Sequence, residues 1–72
     1  MKEIGIKTEF IQLQNVLKIL NIIYSGGESK IYLIENDVLV NGEVERRRGR
    51  KLYPGDILQI NNTNYLIKNE NQ

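Results

Sequence analysis

Val38-Leu39-Val40-Asn41-Gly42-Glu43-Val44 is the stretch on which the fold turns. Asn-Gly between β-forming residues is the favoured two-residue hairpin turn, because both central positions need positive φ and these two residues tolerate it. With a side-chain period of two, Val38 and Val40 face inward and Leu39 the other way. Further turn chemistry lies towards the C-terminus. Tyr53-Pro54-Gly55-Asp56 has Pro at i+1 and Gly at i+2 of a turn. Ile57-Leu58-Gln59-Ile60 and Tyr65-Leu66-Ile67 read as strands, joined by a polar turn at Asn61-Asn62-Thr63-Asn64.

Towards the N-terminus the apolar period changes. Leu13, Val16, Leu17 and Leu20 fall at i, i+3, i+4 and i+7, a helix stripe, with Gln14, Asn15 and Lys18 outside it. Ser25-Gly26-Gly27-Glu28 has the Ser-x-x-Glu spacing of a capping box and predicts the start of a second helix. Ile31-Tyr32-Leu33-Ile34 follows. Propensity alone would allow a strand there, but the capping box favours a helix, and Asn36 is expected to end it in the left-handed C′ conformation. Such an apolar run needs cover on more than one face, so Ile31 and Ile34 are candidates for a satellite contact or a partner surface. Ile4-Gly5-Ile6-Lys7 reads as a short first strand, with Ile4 and Ile6 on one face. The expected fold is therefore α+β: two helices packed on one side of a small, mostly antiparallel sheet.

The chain has 72 residues, with 40% hydrophobic content and no long polar stretch. This predicts a single folded domain over residues 1–72 with a modest core. Cysteine is absent, which excludes disulfides, thiolate metal sites and a cysteine nucleophile. No apolar run reaches the roughly 18 residues of a membrane span. Charges interleave the apolar residues of the first ten positions, unlike a secretory leader. A cytoplasmic monomer is the expectation, with no membrane and no small-molecule substrate among its partners.

Histidine is also absent, so the usual neutral-pH general base is missing. The acidic residues are scattered, and Asp37 and Asp56 sit beside turn signals that already account for them. There is no phosphate-cradling P-loop and no dinucleotide-binding glycine pattern. These absences predict a protein that is not an enzyme and uses no cofactor.

Charge distribution is more telling than the net charge of +1. Arg46, Arg47, Arg48, Arg50 and Lys51 hold half of the ten cationic side chains within six positions. A solvated loop is the ordinary reading of such a run, and a nuclear localisation signal also fits its composition. Arginine, however, forms bidentate contacts with phosphate. Like charges this close destabilise the fold unless an anion neutralises them, and Gly49 lets the backbone approach a partner closely. Ser25-Gly26-Gly27-Glu28-Ser29-Lys30 is a second candidate: besides capping a helix, its amides could meet a phosphate, with Lys30 assisting and Glu28 opposing. Tyr24 and Tyr53 flank the two segments and are expected in the core or at its rim, with base stacking as the other reading.

From about Leu13 to Ile60 the residues resemble the RNA-binding domain named after ribosomal protein S-four, which also occurs in pseudouridine synthases, tyrosyl-tRNA synthetases and a small heat-shock protein. The resemblance rests on an ordered set: the leucine-led helix Leu13–Leu17, the Ser-led helix Ser25–Leu33, Val38-Leu39-Val40-Asn41-Gly42, and Gly55-Asp56-Ile57. The segments SGGESK and RRRGRKLYPGD look closer still to the small stand-alone bacterial members, the YaaA-like proteins. Gly26 stands where the family usually has Arg, Ser29 where it usually has a small residue, and Asn36 where it usually has Gly. The resemblance implies structured RNA as partner, ribosomal RNA or a ribosomal subunit first, in ribosome assembly. Lys18, Gly26, Gly27 and Lys30 would contact it from the helices, and Arg46, Arg47, Arg48, Arg50 and Lys51 from the loop. Transfer RNA or a stalled large subunit remains an alternative target. From the apolar Ile31–Ile34 run, a protein-interaction adaptor remains an alternative class.

Overall fold

The computed structural model describes residues 1–70. Along them run β1 (Lys2–Ile6), β2 (Ile11–Gln12), α1 (Leu13–Ile19), α2 (Gly26–Glu35), β3 (Leu39–Val40), β4 (Glu43–Val44), β5 (Lys51–Leu52), β6 (Ile57–Ile60) and β7 (Thr63–Asn69). Asn41 (φ 51°) and Gly42 (φ 86°) close the β3–β4 hairpin as the sequence predicts. Gly55 (φ 100°) occupies the turn before β6, where the Asp56 amide donates to the Tyr53 carbonyl at 2.9 Å. Five strands form one sheet in the order β1-β7-β6-β3-β4, antiparallel except for the parallel β1–β7 pair.

One face of the sheet is buried. Ile4, Ile6, Val40, Leu58, Ile60 and Ile67 point from it into the core, and Leu13, Val16, Leu17 and Leu33 of the helices meet them there. Each fully buried leucine contributes about 1.5–3 kcal/mol from its removal from water. On the opposite face Glu3 and Lys68 lie on neighbouring strands and pair across 3.6 Å at the surface. The α+β architecture expected from the sequence is thus formed.

Three details depart from the sequence reading. The turn after β6 uses only Asn61 and Asn62, both at positive φ (48° and 66°), so Thr63 and Asn64 belong to β7, opposite Ile60 and Gln59. A two-stranded ribbon that the pattern does not announce pairs Ile11 with Leu52 and Gln12 with Lys51. The left-handed helix stop is at the other helix. Asn36 is extended, at φ −131° and ψ 141°. Asn21, at φ 61°, ends α1 instead. The Asn21 amide donates to the Lys18 carbonyl and the Ile22 amide to the Leu17 carbonyl, both at 3.0 Å. That pair of bonds is a Schellman motif.

α2 begins at the expected capping box. Its stronger arm is Glu28, whose Oε1 accepts from the Ser25 amide at 3.1 Å and the Tyr24 amide at 3.0 Å. The Ser25 arm is looser, without a well-formed side-chain cap bond. Leu33 is buried, whereas Ile31 and Ile34 are 59% and 64% exposed, so the apolar run covers the core with one face only.

Candidate nucleic-acid interface

The basic run is built around a carboxylate. Glu45 directly follows β4 and its amide continues the hairpin ladder to the Val38 carbonyl at 2.8 Å. Its side chain is buried, 8% exposed. Oε2 accepts from the Arg47 amide and from Arg47 Nε, both at 3.0 Å. Oε1 accepts from Arg47 Nη2 at 3.0 Å and Arg50 Nη1 at 2.7 Å. One buried anion therefore fixes two arginines, one of them through a two-pronged fork. The Arg47 guanidinium is the largest influence holding the Glu45 carboxyl down at about 2; burial opposes it, and the Arg47 amide and Arg50 add to it.

The loop backbone also does structural work. The Arg50 carbonyl accepts from the Leu13 amide and the Arg48 carbonyl from the Gln14 amide, each at 2.9 Å. These are first-turn amides of α1, which have no partner inside the helix. Gln12, at the N-cap, supplies no side-chain cap bond. The loop is the cap, so its arginines project from a backbone tied to α1.

Arg48 then joins the loop to the second candidate segment. Its Nη1 donates to the Gly26 carbonyl at 3.1 Å. The buried Ser29 hydroxyl donates to the same carbonyl. The two segments singled out in the sequence therefore touch. The head of α2 nevertheless carries its own anion, Glu28, already bonded to the Tyr24 and Ser25 amides. Gly26 is half-buried, and a side chain there would meet Gln14 Oε1 at 2.9 Å. Gly27 is open, and Lys30 is exposed one turn further along α2.

Two predicted contacts fall elsewhere. Arg46 turns back beneath the C-terminal end of α2, where it donates to the carbonyls of Leu33, Ile34 (3.4 Å) and Asn36 (3.5 Å) and pairs with Asp37 at 2.8 Å. A cation at that end also matches the helix dipole. It replaces the left-handed cap expected at Asn36. Lys18 is exposed in the last turn of α1, five residues from its loop-capped start and so about 7 Å along the axis.

What remains beside the loop is an open groove lined by Arg47, Gly49, Arg50, Lys51 and Tyr53. Arg47 is 74% exposed and Arg50 33%. Lys51 Nζ lies 4.8 Å from the Phe10 ring centroid, and the Tyr53 ring packs on Phe10 at 5.8 Å with a 47° tilt. Tyr53 is a rim residue, whereas Tyr24 is 89% exposed and belongs to neither core nor rim. Phe10 and Glu45 are not among the candidate residues that the sequence singles out. Glu45 carries a signal, an acid heading a run of five cations; Phe10, about forty residues from Lys51 and Tyr53, carries none. Among the described residues there is no cluster of three metal-ligating side chains and no helix long and apolar enough to cross a membrane.

The sequence matches the S4 domain family over residues 4–68, from β1 nearly to the end of β7. It is 53% identical over 57 residues to the probable ribosome maturation protein RlbA of Bacillus subtilis (strain 168), in an alignment that covers 79% of this chain and 80% of that protein. The family match takes in both helices, the Asn-Gly hairpin and the basic loop whose backbone caps α1. The chain belongs to the S4 domain family.

Proposed function

We propose that this protein is a non-catalytic RNA-binding module that grips the phosphate backbone of structured RNA, with ribosomal RNA as target and ribosome maturation as setting. The observation that carries the proposal is the built basic loop: Glu45 and the α1 cap hold Arg47, Arg48 and Arg50 in fixed positions, with Lys51 beside them on Phe10. Cations on a free loop lose conformational entropy on binding, while cations already fixed lose less. The S4 domain match and the ribosome maturation role named for the Bacillus relative support RNA and the ribosome as the setting.

In this reading Arg47, Arg48, Arg50 and Lys51 meet phosphates, with Gly27 and Lys30 at the margin reached through Arg48. Arg46 serves the fold. Recognition is by the shape and charge of the backbone, as is usual for helical RNA. The experiment is sedimentation of cell extract with and without ribonuclease, followed by crosslinking and sequencing of the bound RNA. Ribonuclease-sensitive migration with a ribosomal subunit, and crosslinks to ribosomal RNA, are expected. Ribonuclease-resistant association with a protein would overturn the reading in favour of an adaptor, a reading to which the exposure of Ile31 and Ile34 lends some support.

A further inference from the structure

We infer that the groove between the basic loop and Tyr53 is a subsite for one unpaired nucleotide, with the Tyr53 ring as its stacking surface. The inference rests on the RNA-binding reading above and deepens it: the RNA bound is a helix interrupted by an extruded base, rather than an unbroken stem.

The first observation is the ring itself. Tyr53 is locked at both backbone groups: its amide donates to Asp56 Oδ2 at 2.8 Å and its carbonyl accepts from the Asp56 amide at 2.9 Å. Asp56 is in turn held by Asn41 Nδ2 at 3.1 Å. Phe10 supports the ring at 5.8 Å, yet Tyr53 remains 42% exposed. The ring is therefore ordered before any ligand arrives and keeps open surface for one.

The second observation is the charge around it. Arg47, Arg50 and Lys51 line the same groove, and the buried Glu45 offsets only one of these three cations. A flat apolar ring among cations fits a nucleotide, whose base stacks and whose phosphate is anionic. Aromatic stacking tolerates any base, because every base has a π face.

The third observation is Gly49. Its φ is not in the left-handed region, and a Cβ added there would meet nothing within 4 Å. Gly42 and Gly55, by contrast, are required by positive φ. The fold does not need a glycine at 49, although a glycine loses more conformational freedom on folding than any other residue. A bare backbone on the groove wall leaves room for close approach by a ligand.

The test uses two labelled RNA hairpins that differ only by one bulged fluorescent adenine analogue, titrated with the full chain and its Tyr53→Phe, Tyr53→Leu and Tyr53→Ala variants. The wild type and Tyr53→Phe are expected to bind the bulged hairpin about fivefold to a hundredfold more tightly than the paired one, and to quench the analogue. Tyr53→Ala and Tyr53→Leu should lose both the preference and the quenching while their affinity for the paired hairpin stays within about twofold. Leucine keeps Phe10 covered without offering a π face, so it separates stacking from packing even if the alanine variant is unstable. Equal wild-type affinity for the two hairpins, or a preference that survives Tyr53→Leu, overturns the subsite and leaves the phosphate grip standing. Failure to bind either hairpin overturns the RNA-binding reading itself.

Discussion

Replacing Glu45 with Gln removes the anion that organises the basic loop while keeping its shape. The carboxyl is held at about 2 against an ordinary value of 4.5. A tenfold change in proton affinity corresponds to about 1.36 kcal/mol, so the ionised form contributes roughly 3 kcal/mol to folding. Because Arg47 is largely exposed and solvent screens its charge, about 2 kcal/mol is the better expectation. The folded value lies below the unfolded one, so this stability is complete above about pH 5 and is lost as pH falls towards 2. Urea unfolding followed by circular dichroism should find E45Q about 2 kcal/mol less stable than wild type at pH 7. At about pH 3 that gap should have shrunk by more than half, because Glu45 of the unfolded wild type, at its ordinary 4.5, then takes up a proton that the folded form, held at about 2, largely does not. Taking the difference between the two proteins isolates the part of the pH dependence that belongs to position 45. A gap of the same size at both pH values would show that Glu45 acts by packing rather than as the charge that holds Arg47 and Arg50.

Two further outcomes separate structural residues from binding ones. Arg46→Ala should cost about 1–2 kcal/mol in urea unfolding, since it strips charged hydrogen bonds from the end of α2, yet leave the salt dependence of RNA affinity unchanged in the folded variant. Asn21→Ala should cost about 1 kcal/mol because alanine is disfavoured at that left-handed φ, whereas Asn21→Gly should be nearly neutral by the same measurement.

What could be read from the sequence was local. The Asn41-Gly42 hairpin, the Pro54-Gly55 turn, the leucine stripe of α1 and the Ser25–Glu28 box each depend on residues close together in the chain, and all four are formed. The errors lie where partners are distant. Asn36 and Asn21 are equally able to adopt positive φ; the choice between them is decided by Arg46, ten residues beyond Asn36, which satisfies the end of α2 in another way. The β2–β5 ribbon has two residues per strand and joins segments forty positions apart, too short and too remote for any periodic signal. Proximity in the sequence also made the basic run look uniform. In the fold it divides by the partner each member finds: Asp37 takes Arg46, Glu45 takes Arg47 and Arg50, and Arg48 reaches the Gly26 carbonyl. So dense a run needs an anion, and Glu45 at its head supplies one from within the chain.

Changing Arg47 and Arg50 together would strand the buried Glu45 charge and confuse unfolding with lost affinity. Arg48→Gln with Lys51→Gln avoids this, since neither residue pairs with Glu45. Fluorescence anisotropy with a structured ribosomal RNA fragment, repeated from about 50 to 200 mM salt, is therefore the most direct measurement of the phosphate grip. With about four phosphate contacts the wild type should lose roughly a hundredfold in affinity over that range, and the double variant only about tenfold because two contacts are gone. Identical salt slopes for the two proteins would contradict the grip.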